Sequence, residues 1–90
     1  MNTADLIHGA LLDAAGICIA QGIFPLCALP AFSVAQENGY YITYFAVVAQ
    51  DTLDMPCEKI AQHICEHLIY CGDIEIKSVE PSDGKIKIYL

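Results

Sequence analysis

Ninety residues with 56% hydrophobic content and a net charge of −7 describe one small domain with a modest core, and they exclude a disordered chain. There is no arginine, and no lysine precedes Lys59, so the chain lacks the basic surface through which a nucleic-acid binder acting alone neutralises phosphates. Five cysteines at positions 18, 27, 57, 65 and 71, an odd number with no Cys-x-x-Cys, argue against a disulfide framework and for a reduced, cytoplasmic protein.

Thr3 is expected to cap a first helix, with Asp5 in its first turn facing the positive end of the dipole. Leu6, Ile7, Ala10, Leu11, Ala14 and Cys18 recur at helical spacing and predict one buried face, ending by about Gly22. Residues 14–36 carry no charge and approach the length of a membrane span. Gly16, Gly22, Pro25 and Pro30 interrupt them, and the first thirteen residues hold Asp5 and Asp13 where a signal peptide needs bases. The expectation is therefore a loop with a short extended piece at Ala31–Ala35, and no membrane insertion. Asn38-Gly39 then signals a turn.

The next segment pulls two ways. Tyr40-Tyr41-Ile42-Thr43-Tyr44-Phe45 has high strand propensity, while a helix from about Thr43 to Leu53 follows from a resemblance given below. Pro56 opens the clearest helix, to about Tyr70, with Cys57, Ile60, Ala61, Ile64, Cys65, Leu68 and Ile69 on its core face and Gly72 as its cap. Ile74 to Val79 alternates as a half-buried strand, Pro81-Ser82-Asp83-Gly84 turns the chain, and Ile86, Ile88 and Leu90 alternate on the way back.

The order Gly39-Tyr40-Tyr41, the apolar run Phe45 to Ala49, the helix from Pro56, and Pro81 to Gly84 leading to Ile88-Tyr89-Leu90 resembles the N-terminal additional domain of arginyl-tRNA synthetases. The match covers about fifty residues. Where that family has Gly-Asp-Tyr this chain places Tyr40 at the acid, the family's Asn falls on or near Tyr44, and its Gly-Phe-Ile-Asn becomes Gly84-Lys85-Ile86-Lys87. The resemblance implies an α+β fold with about three helices packed on one face of a small, mainly antiparallel sheet. It also implies a module without chemistry that precedes a catalytic core and touches the tRNA elbow at its D-loop. Leu90 falls in mid-strand, which suits a chain that continues into such a core.

The candidate contacts are few. Tyr40, Tyr41 and Tyr44 cluster beside the turn where the resembling family meets the D-loop, and tyrosines stack on unpaired bases. The structural alternative places Tyr41 and Phe45 in the core, with Tyr40 and Tyr44 half-covering the sheet. Lys85 and Lys87 are the basic pair on the final hairpin, and a solvated edge strand also accounts for them. His63, His67 and Cys71 recur every four residues as helical zinc ligands do, but a closed site needs a fourth donor; boundary side chains of an amphipathic helix are the simpler account, and no metal is expected.

For acid–base work, His8 with Asp5 or Asp13 offers a pair that reads more simply as solvated charges. Phosphate loops, nucleophile elbows and the synthetase signatures His-Ile-Gly-His and Lys-Met-Ser-Lys-Ser are absent, so the chain is expected to be no enzyme on its own and to hold no cofactor. DNA is not an expected partner, and tRNA is one only when a larger basic body delivers the domain. The alternative is a free-standing relative that binds protein or a second copy of itself, without tRNA, and buries an apolar patch from residues 14–36.

Overall fold

The computed structural model describes residues 2–68 and 74–90. Its elements run α1 (Thr3–Ala20), β1 (Val34–Gln36), β2 (Tyr41–Thr43), α2 (Phe45–Leu53), α3 (Cys57–Leu68), β3 (Ser78–Ser82) and β4 (Lys85–Tyr89). The strands form one antiparallel sheet in the order β1-β2-β4-β3. Three helices against this sheet make the α+β fold expected from the sequence.

α1 buries Ile7, Ala10, Leu11, Ala14, Ala15 and Cys18 completely, at i, i+3, i+4, i+7, i+8 and i+11, against α3 and β1. By length and composition α1 could cross a membrane, yet those same apolar residues are the centre of the core. The cap is Asn2 rather than Thr3: the Asn2 side chain accepts the Asp5 N–H at 2.8 Å, and Thr3 is already helical. Asparagine one position earlier competes successfully because its carbonyl reaches the same first-turn donors. Leu6 is only half-buried.

From Gln21 to Ser33 the chain is irregular, as its two prolines require, and Phe24 anchors it in the core. The extended piece lies at Val34–Gln36, a few residues beyond the expected Ala31–Ala35. The helix expected from Thr43 starts instead at Phe45, because Tyr41–Thr43 is a strand. Both local preferences are satisfied in succession, and Thr43 is the joint. Fully buried, its hydroxyl donates to the Ser33 carbonyl at 2.9 Å and accepts the Phe45 N–H at 3.2 Å, supplying a partner at the start of α2. Asp54 ends α2 in the left-handed region, φ 52°.

α3 buries Ile60, Ala61, Ile64 and Leu68, while Cys57 and Cys65 at the margins of that face are half-buried. The expected extension through Ile69 and Tyr70 and the cap at Gly72 lie outside the described residues.

The expected strand 74–79 is displaced: β3 runs Ser78–Ser82, and Pro81 and Ser82 belong to the strand rather than to the turn. Asp83 and Gly84 alone make the turn, at φ 53° and 80°, the doubly positive pattern that matches the twist of paired strands. Ser82 pairs with Lys85 across this two-residue loop. Hydrogen-bonded pairs alternate with non-bonded ones, so the nitrogen of Pro81, opposite Ile86, faces the free edge, where no donor is needed. On β4, Ile86 and Ile88 point into the core, but Leu90 lies past the strand and is 48% exposed.

Candidate nucleic-acid interface on the open sheet face

The cross-strand register sorts the sheet into two faces. Thr43 opposite Ile86, and Tyr41 opposite Ile88 and through it Val79, face the helices. Ile42 opposite Lys87, and Lys87 opposite Glu80, face the other way. Tyr40, Tyr44, Lys85 and Tyr89 share this second face by alternation along β2 and β4. Among the described residues no helix covers it.

Four of the five candidate contact residues therefore gather on one surface. The Lys87 ammonium lies 5.5 Å from the centre of the Tyr40 ring, and that of Lys85 lies 5.9 Å from the centre of Tyr44. Both are within cation–π range, which attaches each cation to an aromatic face. Tyr40 and Tyr89 neighbour one another with ring centres 5.7 Å apart and a 41° tilt. Ile42 lies beneath them, 8% exposed and yet no member of the helix-side core cluster. Its cross-strand neighbours on this face are Ala35 and Lys87.

Tyr41 is the exception. It packs half-buried against the core with Phe45, as the structural alternative expects, and presents no ring to this surface. Lys85 and Lys87 are not on an edge strand: β4 is central, flanked by β2 and β3, so their positions are held by hydrogen bonding on both sides. Sequence reasoning missed Tyr89, although the alternation of Lys85, Lys87 and Tyr89 with Ile86 and Ile88 carries the signal.

A shallow groove of about 400 Å³ adjoins this face at Tyr44, with Ala31, Phe32, Ser33 and Val48 as its other walls. Phe32 is fixed from two sides: its ring stacks on His8 at 4.1 Å with a 9° interplanar angle and meets Phe45 edge-on at 4.8 Å. His8 is thus half-buried on an aromatic ring, not paired with Asp5 or Asp13 on a solvated face.

The expected helix-face trio of His63, His67 and Cys71 is only partly within the described residues, because Cys71 lies outside them. The His63 Nδ1 is 3.7 Å from a Glu66 carboxylate oxygen, a contact too long for a hydrogen bond, and its ring meets Phe24 edge-on at 6.2 Å. Among the described residues no three His, Cys, Asp or Glu side chains are grouped to hold a metal ion. Burial pushes the Cys65 thiol up to about 12, and the Glu66 charge adds to the shift.

No family model, no curated protein and no solved structure matches the chain.

Proposed function

We propose that the chain is a non-catalytic RNA-contacting module whose open sheet face takes unpaired bases and backbone of a folded RNA, the tRNA elbow being the specific target implied by the arginyl-tRNA synthetase resemblance. One observation carries this reading: Tyr40, Tyr44, Tyr89, Lys85 and Lys87 share one sheet face that no helix among the described residues covers, each lysine lying against a tyrosine. An antiparallel sheet presenting aromatic rings to solvent is a surface on which bases stack, and adjacent ammonium groups meet the phosphates between them. The succession of elements from α2 to β4 supports the same reading, being the order that the resemblance implies. In this role the module performs no reaction. It orients an RNA whose charging or processing takes place on other domains.

Charge sets the strength. Eleven acidic residues against four lysines oppose RNA at long range, so binding by this chain is weak and rises sharply as salt is lowered. The test is a titration of the isotope-labelled chain with a tRNA transcript in low salt, following backbone amide shifts. Amides of β2 and β4 are expected to move, and Tyr40→Ala to weaken binding by about fivefold to a hundredfold, the value of one lost base stack. Loss of preference for tRNA over a hairpin of equal length, or shifts unchanged by Tyr40→Ala, refutes the reading.

A further inference from the structure

We propose that two copies of the chain join through the outer edges of their β1 strands, antiparallel, to form one continuous sheet of eight strands. The two edges of the four-stranded sheet differ in chemistry. β3 carries Glu80 and Pro81, with Lys77 and Glu75 just before it, and charge and proline are the ordinary devices that prevent edge-to-edge pairing. β1 has none of them. Its sequence is Val34-Ala35-Gln36, and it closes the uncharged run of residues 14–36.

The hydrogen-bond register makes this edge self-complementary. The Glu37 N–H donates to the Tyr40 carbonyl at 2.7 Å, which marks that pair as hydrogen-bonded; by alternation Ala35 spends its backbone groups on Ile42. The N–H and C=O of Val34 and Gln36 therefore face outward, and among the described residues no strand pairs with them. A two-fold axis through Ala35, perpendicular to the sheet, brings Val34 of each copy opposite Gln36 of the other and satisfies all of these groups reciprocally. The axis leaves both open faces on the same side, so two tyrosine–lysine surfaces lie on one extended sheet.

Charge opposes a second copy less at this edge than over most of the acidic surface. Each carries −7, and Val34-Ala35-Gln36 is itself uncharged, with Glu37 lying just past the end of β1 on each copy. Added salt accordingly tightens this contact, whereas it loosens RNA binding, which separates the two proposals experimentally.

Sedimentation of the chain from micromolar to millimolar concentration, in low and high salt, reads the association. A monomer–dimer equilibrium strengthened by salt is expected. Gln36→Pro removes one outward donor from each copy and no donor to β2, so it should weaken the dimer by about tenfold or more, the value of two lost hydrogen bonds. Independently, Ala35→Cys places two thiols across the axis at a non-hydrogen-bonded pair about 4.5 Å apart in Cα, within reach of a disulfide. Mild oxidation should then give a cross-linked dimer absent from the unsubstituted chain, with the introduced thiols joined to each other by peptide mapping. A strict monomer in every condition, a dimer indifferent to Gln36→Pro, or no such cross-link overturns the proposal.

Discussion

Gly84 has the least freedom of any glycine described. Its φ of 80° is one that side chains avoid, and a Cβ built there would meet the Cys57 sulfur. Gly39 has a similar φ of 91° with open space around it. Gly84→Ala should therefore cost about 2–4 kcal/mol by urea unfolding, strain plus overpacking, and Gly39→Ala only about 1–2 kcal/mol from strain alone. Adding Cys57→Ala to Gly84→Ala should recover the part due to the sulfur and leave the strain and the closer contacts with residue 57 Cβ and Val47, which a double-mutant cycle resolves. Cys65 gives a pH dependence. Its thiol titrates at about 12 when folded and near the ordinary value of 9.0 when unfolded, so above pH 9 the unfolded chain holds fewer protons than the native one. The stability from Cys65 is fully present below pH 9 and declines as pH rises toward 12. Unfolding midpoints taken at pH 8 and pH 10 should fall further for the unsubstituted chain than for Cys65→Ala.

At the level of elements, Thr43 and Asn2 test the joints. Thr43→Val keeps the shape but leaves the Phe45 N–H and Ser33 carbonyl without their partner, at a cost of about 1–3 kcal/mol in unfolding free energy. Asn2→Ala should cost about 1 kcal/mol, and Thr3→Ala distinctly less, since Asn2 is the cap. α1 and α3 were legible because apolar residues recur over three to five turns, which outweighs any local ambiguity, whereas α2 was expected from the resemblance against the strand propensity of its first residues. Strand limits were not. β1 and β2 are three residues each, too short for a period of two to declare itself, and β2 is held by pairing on both sides, with β1 and with the distant β4. Pro81 read as a turn because the sequence alone does not reveal that β3 is an edge. The contact surface was legible in its tyrosines and lysines, but its sidedness was not: which of Tyr40, Tyr41 and Tyr44 faces away from the helices depends on register with a strand far along the chain.

Over the whole molecule, acidity governs behaviour more than any one pair. With an excess of seven negative charges, the folded chain repels itself, and moderate salt should raise its urea midpoint. An unfolding series from about 0.05 to 0.5 M sodium chloride checks this, and an unchanged midpoint contradicts it. The same acidity favours surfaces that carry less of it: the open face sets Lys85 and Lys87 against a single acid among the described strand residues, Glu80, and β1 is uncharged with Glu37 just beyond it.

The pairing of β2 with β4 joins Tyr41 to Ile88, about half the chain apart, while the hairpins on either side form within a few residues. Each half can thus make its own ribbon early, and neither becomes a sheet until the two meet. That meeting sets the tempo: the chain must close a large loop before its central strands gain anything, so it should fold more slowly than a helical bundle of equal length. A break at the Asp54-Met55 connection between α2 and α3 would leave one hairpin on each fragment. The two pieces would then find each other as separate molecules, and the rate of recovery would depend on their concentration.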